Sequence, residues 1–359
     1  MPARSTLTTF IFVAVALISF SLLVFTPRST LPSLGRFHKY QTSKSHGKSP
    51  APTGNSQGSS HAYVAFLQDH WTHENTTSDE DDEYFVATRV LAYQLMHAPK
   101  TKANASIPLV VACTPRVKES KKERLAKDGA MIVDVDYVEN PEWITSKNGL
   151  QQRYMTQMTK LRIMQLTQFE RVLYIDSDVY ITDRMDGIFK DDSTKVQETN
   201  LDLIEDQDKG KVPKQYAFAG QAQQHDWTHQ YPPDPNEPLF GAGFFLFQPS
   251  LELFDYYMHL LYHEPPRFDA SMFEQNLMNY AHRRDGPMPW QDLYYKWTTS
   301  FPTLDDLNAG AKSLHHKFWW EDTNIPDHGL NKMTAMWYQT RGEMEGYYYA
   351  LDEAASKKT

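Results

Sequence analysis

The chain has 359 residues, 40% of them hydrophobic and 13% aromatic, enough for a substantial core. Its net charge of −9 argues against a general nucleic-acid binder, which would present a basic face. Cys113 is the only cysteine, which excludes an intrachain disulfide and a cysteine-rich zinc site.

From Ser5 to Pro27 no residue is charged, and Leu7 to Phe25 is almost wholly apolar. At helical rise that stretch covers about 28 Å, close to the hydrocarbon thickness of a bilayer. A cleaved signal peptide is the competing reading, but the stretch is long for a signal core and Ser21 to Pro27 (SLLVFTP) lacks a clear small-x-small cleavage site. We expect a short tail at residues 1–6 and a transmembrane signal-anchor at residues 7–25. Arg4 alone precedes the span, whereas Arg28, Arg36, Lys39, Lys44 and Lys48 follow it, a bias that would place the bulk of the chain in the cytosol. Two acceptor sequons, Asn75-Thr76-Thr77 and Asn104-Ala105-Ser106, point instead to a secretory lumen. Residues 26–60, rich in Ser, Pro, Gly, Thr and Lys, cannot bury enough surface to fold and read as a flexible stem. The globular domain is expected over residues 61–345, with a C-terminal tail at 346–359.

Within that domain, Ala62 to Leu67 (AYVAFL) reads as a first strand. Asn75 to Glu83 (NTTSDEDDE) reads as a solvated acidic loop, and Tyr84 to His97 has the apolar spacing of a helix. A buried strand at Ile107 to Cys113, a charged helix at Val117 to Asp128 and a strand at Ala130 to Val135 continue the alternation. Strands alternating with helices predict a parallel sheet with right-handed crossovers. Gln151 to Gln168 should be a helix with Met155, Met158, Leu161, Met164 and Leu166 toward the sheet.

The next stretch, Arg171 to Asp178 (RVLYIDSD), organises the rest. Val172 to Ile175 is an uninterrupted apolar run, as in a strand buried on both faces of a parallel sheet. It stops at Asp176 and Asp178, separated by Ser177. In open α/β sheets ligands bind just beyond the carboxyl ends of strands. Two neighbouring carboxylates repel each other, and a divalent cation relieves that repulsion. The alternative is that both acids serve the turn that follows.

Tyr216 to Gly220 suggests another short strand, Tyr231 to Pro238 a proline-rich loop, and Phe240 to Phe247 (FGAGFFLF) a strand whose Gly241 and Gly243 would let backbone approach a ligand closely. Ser250 to His263 and Ala270 to Arg283 read as amphipathic helices, the second carrying Glu274, Gln275 and Asn279. Lys312 to Trp320 (KSLHHKFWW) holds two histidines and a lysine among aromatics. There is no internal repeat, P-loop or GxGxxG.

Four stretches in this order resemble glycosyltransferase family 8, the retaining GT-A enzymes that include glycogenin. They are Lys160-Leu161 with Arg171 to Phe189 (RVLYIDSDVYITDRMDGIF), Phe240 to Ser250 (FGAGFFLFQPS), Glu274 to Asn279 (EQNLMN) and Ala309 to His315 (AGAKSLH), a resemblance spanning roughly residues 61–319. The resemblance implies a Rossmann-like GT-A α/β fold with a mixed, mostly parallel sheet flanked by helices. It makes Asp176, Asp178 and His315 the ligands of Mn²⁺ or Mg²⁺. His316 is the alternative to His315, which is preferred because alternate strand residues face opposite ways. By the same resemblance Lys160, Ser177, Gly241, Gly243 and Lys317 would hold a UDP-sugar donor. Phe66, with Ala65, Leu67 and Gln68, would lie where the family grips uracil, and Gln275 with Glu274 would sit at the reacting face of the sugar. The sequence departs from the family at Gly241, usually asparagine, at Glu274, usually aspartate, and after His315, where a G-x-x-K-P-W tail is missing.

The implied function is transfer of a hexosyl or N-acetylhexosaminyl group to a glycan or glycoprotein acceptor, by a single-pass type II protein of the Golgi membrane, the endoplasmic reticulum being the other compartment. Three alternatives stand beside it: a Golgi-type N-acetylglucosaminyltransferase, a glycogenin-like glucosyltransferase, and an inactive lumenal protein that binds nucleotide or glycan.

Overall fold

The computed structural model describes residues 60–68, 78–147, 154–320 and 327–357. The expected tail, anchor and nearly all of the stem lie outside these residues, as does the Asn75 sequon. Among the described residues no helix is long and apolar enough to cross a membrane.

The chain runs β1 (His61–Leu67), α1 (Glu83–Met96), β2 (Leu109–Cys113), α2 (Glu119–Lys127), β3 (Met131–Asp134), a one-turn α3 (Glu142–Thr145), β4 (Arg171–Ile175) and β5 (Val179–Ile181). There follow a two-residue ribbon, β6 (Gln197–Glu198) and β7 (Gln215–Tyr216), then β8 (Phe218–Ala222), β9 (Phe240–Phe247), α4 (Leu251–Leu261) and α5 (Phe273–Ala281). The order closes with β10 (Gln291–Asp292), β11 (Thr299–Ser300), α6 (Leu304–Asn308), β12 (Ser313–His315) and α7 (Leu330–Ser356).

Seven strands form the main sheet in the order β10-β8-β9-β4-β1-β2-β3. Strands β4, β1, β2 and β3 are mutually parallel, β10 is parallel to β8, and β9 is antiparallel to both its neighbours. The sheet is thus mixed and mostly parallel, as expected. Alternate residues of β1 feed two cores: Ala62, Val64 and Phe66 join one, and Tyr63, Ala65 and Leu67 the other. This follows from the two-residue period of a strand. In β4, Val172, Leu173, Tyr174 and Ile175 are all buried, so this strand is covered on both faces.

A second sheet, β11-β12-β5, decides where the site lies. Strand β5 begins one residue after Asp178, so the Asp176-Ser177-Asp178 turn is where the chain leaves the main sheet for the small one. Strand β12 pairs antiparallel with β5 in a register that puts His315 opposite Val179.

Four elements differ from the sequence reading. The helix expected at Gln151 to Gln168 is a 3₁₀ helix at Gln157–Gln165. Its buried residues Met158, Leu161 and Met164 recur every third position, which is the 3₁₀ period rather than the α period. The single helix expected at Ala270 to Arg283 is broken: a 3₁₀ turn at Ala270–Met272 precedes α5, and Phe273 at the junction has φ +46° and ψ −121°. The acidic loop is not wholly solvated, because Asp82 is buried, caps α1 by accepting from Tyr84 N and Phe85 N, and pairs with the buried Lys121. Finally, α7 runs from Leu330 to Ser356, straight across residue 345 where the sequence reading ended the domain. It buries Met333, Trp337, Met344 and Tyr348 against α1 and the aromatics following β12.

Candidate active site at the tip of the fourth strand

Asp176 continues the β4 ladder by donating its backbone N–H to Gly243 O at 2.8 Å, and Val179 N closes the turn onto Asp176 O at 3.0 Å. Asp178, 7% exposed, is held from the other side by His316 N, which donates to Asp178 O at 3.0 Å. Strand pairing therefore delivers His315 to the acids. His315 Nε2 lies 3.0 Å from Asp178 Oδ1 and 3.9 Å from Asp176 Oδ2, and Lys317 Nζ lies 2.9 Å from Asp178 Oδ2.

Asp176, Asp178 and His315 each offer one ligand atom, all within 4.8 Å of one another. Two carboxylates and one imidazole form a donor set suited to a divalent ion such as Mn²⁺. The residues fit the group. His316, the residue after β12, lies with its ring 5.2 Å from those of Trp227 and Phe318, while His315 is the histidine beside the two acids.

Gly243 makes room for this cluster. A Cβ there would stand 2.2 Å from His315 Cε1 and 2.9 Å from Asp176 Oδ2, so no other residue fits without displacing a ligand.

Lys160 is buried and tied on every side: 2.8 Å from Glu274 Oε1, 3.4 Å from Asp176 Oδ1, 3.4 Å from Ala242 O, and 4.8 Å above the Tyr174 ring. Tyr174 in turn donates its hydroxyl to Asp176 Oδ1. Gln275 Oε1 accepts from Ala242 N at 3.0 Å, which fixes its carboxamide and directs the NH₂ end elsewhere. Asn279 clamps the start of β9, accepting from Phe240 N at 2.9 Å and donating to Phe240 O at 3.0 Å.

These contacts set the charge states. Burial alone would raise the Asp178 carboxyl, but Lys317 and His315 beside it hold it well below the usual range. Burial raises Glu274, which Lys160 only partly offsets. Burial would lower Lys160 and His315, and the neighbouring carboxylates turn both shifts upward. Burial pushes the Tyr174 phenol well above its ordinary value, so it remains a donor.

The cluster opens onto a cavity of about 240 Å³. Of the expected residues, Phe66, Leu67, Gln68, Lys160, Asp176, Ser177, Asp178, Gly243, Glu274, Gln275, His315 and Lys317 line it. Two do not. Gly241 lies nearer the start of β9, and a Cβ added there meets nothing within 4 Å. Ala65 faces the core with no exposure, because it alternates with Phe66. Ser177 is buried with its hydroxyl 2.8 Å from that of Thr88, which ties the turn to α1. The sequence reading missed Tyr84, Tyr154, Gln157, Tyr174 and Phe273, which also line the cavity. Tyr174 was legible, being two residues before Asp176 on the same strand. The others come from separate elements, without a shared spacing.

A mixed, mostly parallel sheet whose Asp-x-Asp turn meets a histidine at the mouth of a cavity is the arrangement of GT-A glycosyltransferases. The family model described as glycosyl transferase family 8 matches residues 75–316. The chain belongs to that family and is a glycosyltransferase. An uncharacterized protein of Schizosaccharomyces pombe is 30% identical over 298 residues, covering 76% of each chain. Galactinol synthase 2 of Solanum lycopersicum is 28% identical over 255 residues, covering 70% of this chain and 67% of its own. Among solved structures, the galactosyltransferase LgtC, in complex with donor and acceptor sugar analogues, is 15% identical with a TM-score of 0.44, covering 79% of this chain and 95% of its own.

Proposed function

We propose that the protein is a retaining glycosyltransferase that uses Mn²⁺ to move a sugar from a UDP-sugar to a glycan or glycoprotein acceptor. The observation that carries this reading is the convergence of Asp176, Asp178 and His315 beside Lys160, Gln275 and Lys317 on one cavity. A divalent ion bound there supplies positive charge to the leaving diphosphate. The donor's anomeric C–O bond breaks with its electron pair passing to the diphosphate, and an acceptor oxygen bonds to the vacated carbon while its proton passes to a diphosphate oxygen.

The chain's own groups prepare that event. Lys317 and Lys160 bring two fixed ammonium groups to the cavity wall, where they favour the developing charge. Glu274 Oε1 is paired with Lys160, and Gln275 Oε1 accepts from Ala242 N, so both side chains are held in place at the cavity wall. The NH₂ of Gln275 is left as the group for a sugar hydroxyl or ring oxygen.

The apolar stretch Leu7 to Phe25 and the exposed sequon residue Asn104 support a type II protein of the Golgi membrane with a lumenal catalytic domain. Glycosidase treatment of the expressed protein checks this, and Asn104 without glycan would count against it.

The decisive assay screens the purified protein with Mn²⁺ against UDP-glucose, UDP-galactose, UDP-N-acetylglucosamine and UDP-glucuronic acid. Metal-dependent turnover of one of them is expected, lost in Asp178→Asn with the fold retained. Unchanged turnover in that variant overturns the site, and a preference for GDP-sugars overturns the choice of nucleotide.

A further inference from the structure

Asp176 has two carboxylate oxygens, and they face different partners. Oδ2 faces His315 Nε2 at 3.9 Å, while Oδ1 accepts from Tyr174 OH and lies 3.4 Å from Lys160 Nζ. Tyr174 precedes Asp176 by two residues on β4, so both side chains leave the same face of the strand. Its ring is 1% exposed and packs on Phe245 at 5.0 Å between centroids, which fixes where the hydroxyl points. Lys160 is anchored independently by Glu274 and Ala242 O.

We infer that Tyr174 is a positioning residue: its hydroxyl, with Lys160, holds Asp176 Oδ1 so that Asp176 presents the single oxygen Oδ2 to the metal. This deepens the proposed function and rests on its metal site. A carboxylate gripped at one oxygen has already given up its rotation, so less freedom is lost when the ion binds. Without the hydroxyl, Lys160 alone holds Oδ1, and the carboxylate can turn toward it and away from His315. Partners of ligands in this position change metal affinity by about 10- to 100-fold.

The test titrates the full chain with Mn²⁺ in the absence of any donor, reading unbound Mn²⁺ by electron paramagnetic resonance. Tyr174→Phe is expected to bind 10- to 100-fold more weakly, and 4-fluorophenylalanine at position 174, which fills the oxygen's space without donating, should weaken binding equally. Tyr257→Phe is the control: this tyrosine is equally buried, but its hydroxyl bonds His282 Nε2 at 2.7 Å, and its Mn²⁺ affinity should match the parent's. In turnover, Tyr174→Phe should need more Mn²⁺ while recovering the parental rate at saturating metal, a split that general loss of structure would not produce. If Asp178→Asn abolishes Mn²⁺ binding but both position-174 variants bind within twofold of the parent, the inference is overturned and the metal site stands. If Asp178→Asn binds Mn²⁺ like the parent, the metal site fails and the inference fails with it.

Discussion

Gly243→Ala tests the packing of the site with a single added methyl. The new Cβ would stand 2.2 Å from His315 Cε1, 2.8 Å from its Nδ1 and 2.9 Å from Asp176 Oδ2. Non-bonded carbons settle near 3.5 Å, so the imidazole must retreat by about 1.3 Å. His315 Nε2 now sits 3.0 Å from Asp178 Oδ1, and such a retreat takes it out of the ligand cluster. The backbone itself accepts alanine, since residue 243 is extended strand. Alanine at a compatible glycine site stabilises by about 0.4–1 kcal/mol, and a displaced side chain costs about 0.5–1.5 kcal/mol, so folding stability should move by no more than about 1 kcal/mol. Metal affinity should fall by about 100-fold or more, at or beyond the effect of losing a supporting contact. Mn²⁺ titration and thermal denaturation read the two quantities separately. Parental Mn²⁺ affinity in Gly243→Ala would refute the reasoning, as would unfolding of the variant, because the clash would then be absorbed by the sheet and not by the ring.

Two further predictions concern the scaffold. Phe273 holds a backbone conformation that non-glycine residues avoid, with φ +46°, at a cost of about 1–3 kcal/mol. Phe273→Ala keeps that strain and loses the buried ring, whereas Phe273→Gly loses both, so the glycine variant should denature at the higher temperature; the opposite order would show that the junction relaxes. His282 is fully buried against Phe218, and burial lowers its pKa to about 4. Above pH 6.5 both folded and unfolded states keep it neutral. Between pH 6.5 and about 4 only the unfolded chain takes the proton, so stability falls as pH drops, by about 3 kcal/mol in all. Urea unfolding at pH 7 and pH 4.5 should show His282→Gln losing less than the parent, and equal losses would remove His282 from the account.

Much of the site was legible because strand arithmetic is strict. The run from Val172 to Ile175 announces a doubly covered strand, and the two acids mark its end. The less legible parts depend on tertiary choices. Nothing local says that FGAGFFLF runs antiparallel to its neighbours, and the periodicity of Ala270 to Arg283 hides the break at Phe273. The three-residue spacing of Met158, Leu161 and Met164 was visible but reads equally as one face of an α-helix. In α7 the buried Met333, Trp337, Thr340, Met344 and Tyr348 follow a helical stripe that Gly342 and Gly346 obscure.

The acids belong to the end of the fourth strand and the imidazole to the short twelfth strand, which arrives only near the close of the chain. Synthesis from the amino end therefore completes the first eleven strands before the Asp-Asp-His cluster exists. A polypeptide halted ahead of Ser313 would carry both carboxylates and most of the cavity wall, yet lack the third ligand and Lys317. The cluster is thereby tied to synthesis past Lys317, and a chain that stops short of it holds the two acids without their partner imidazole.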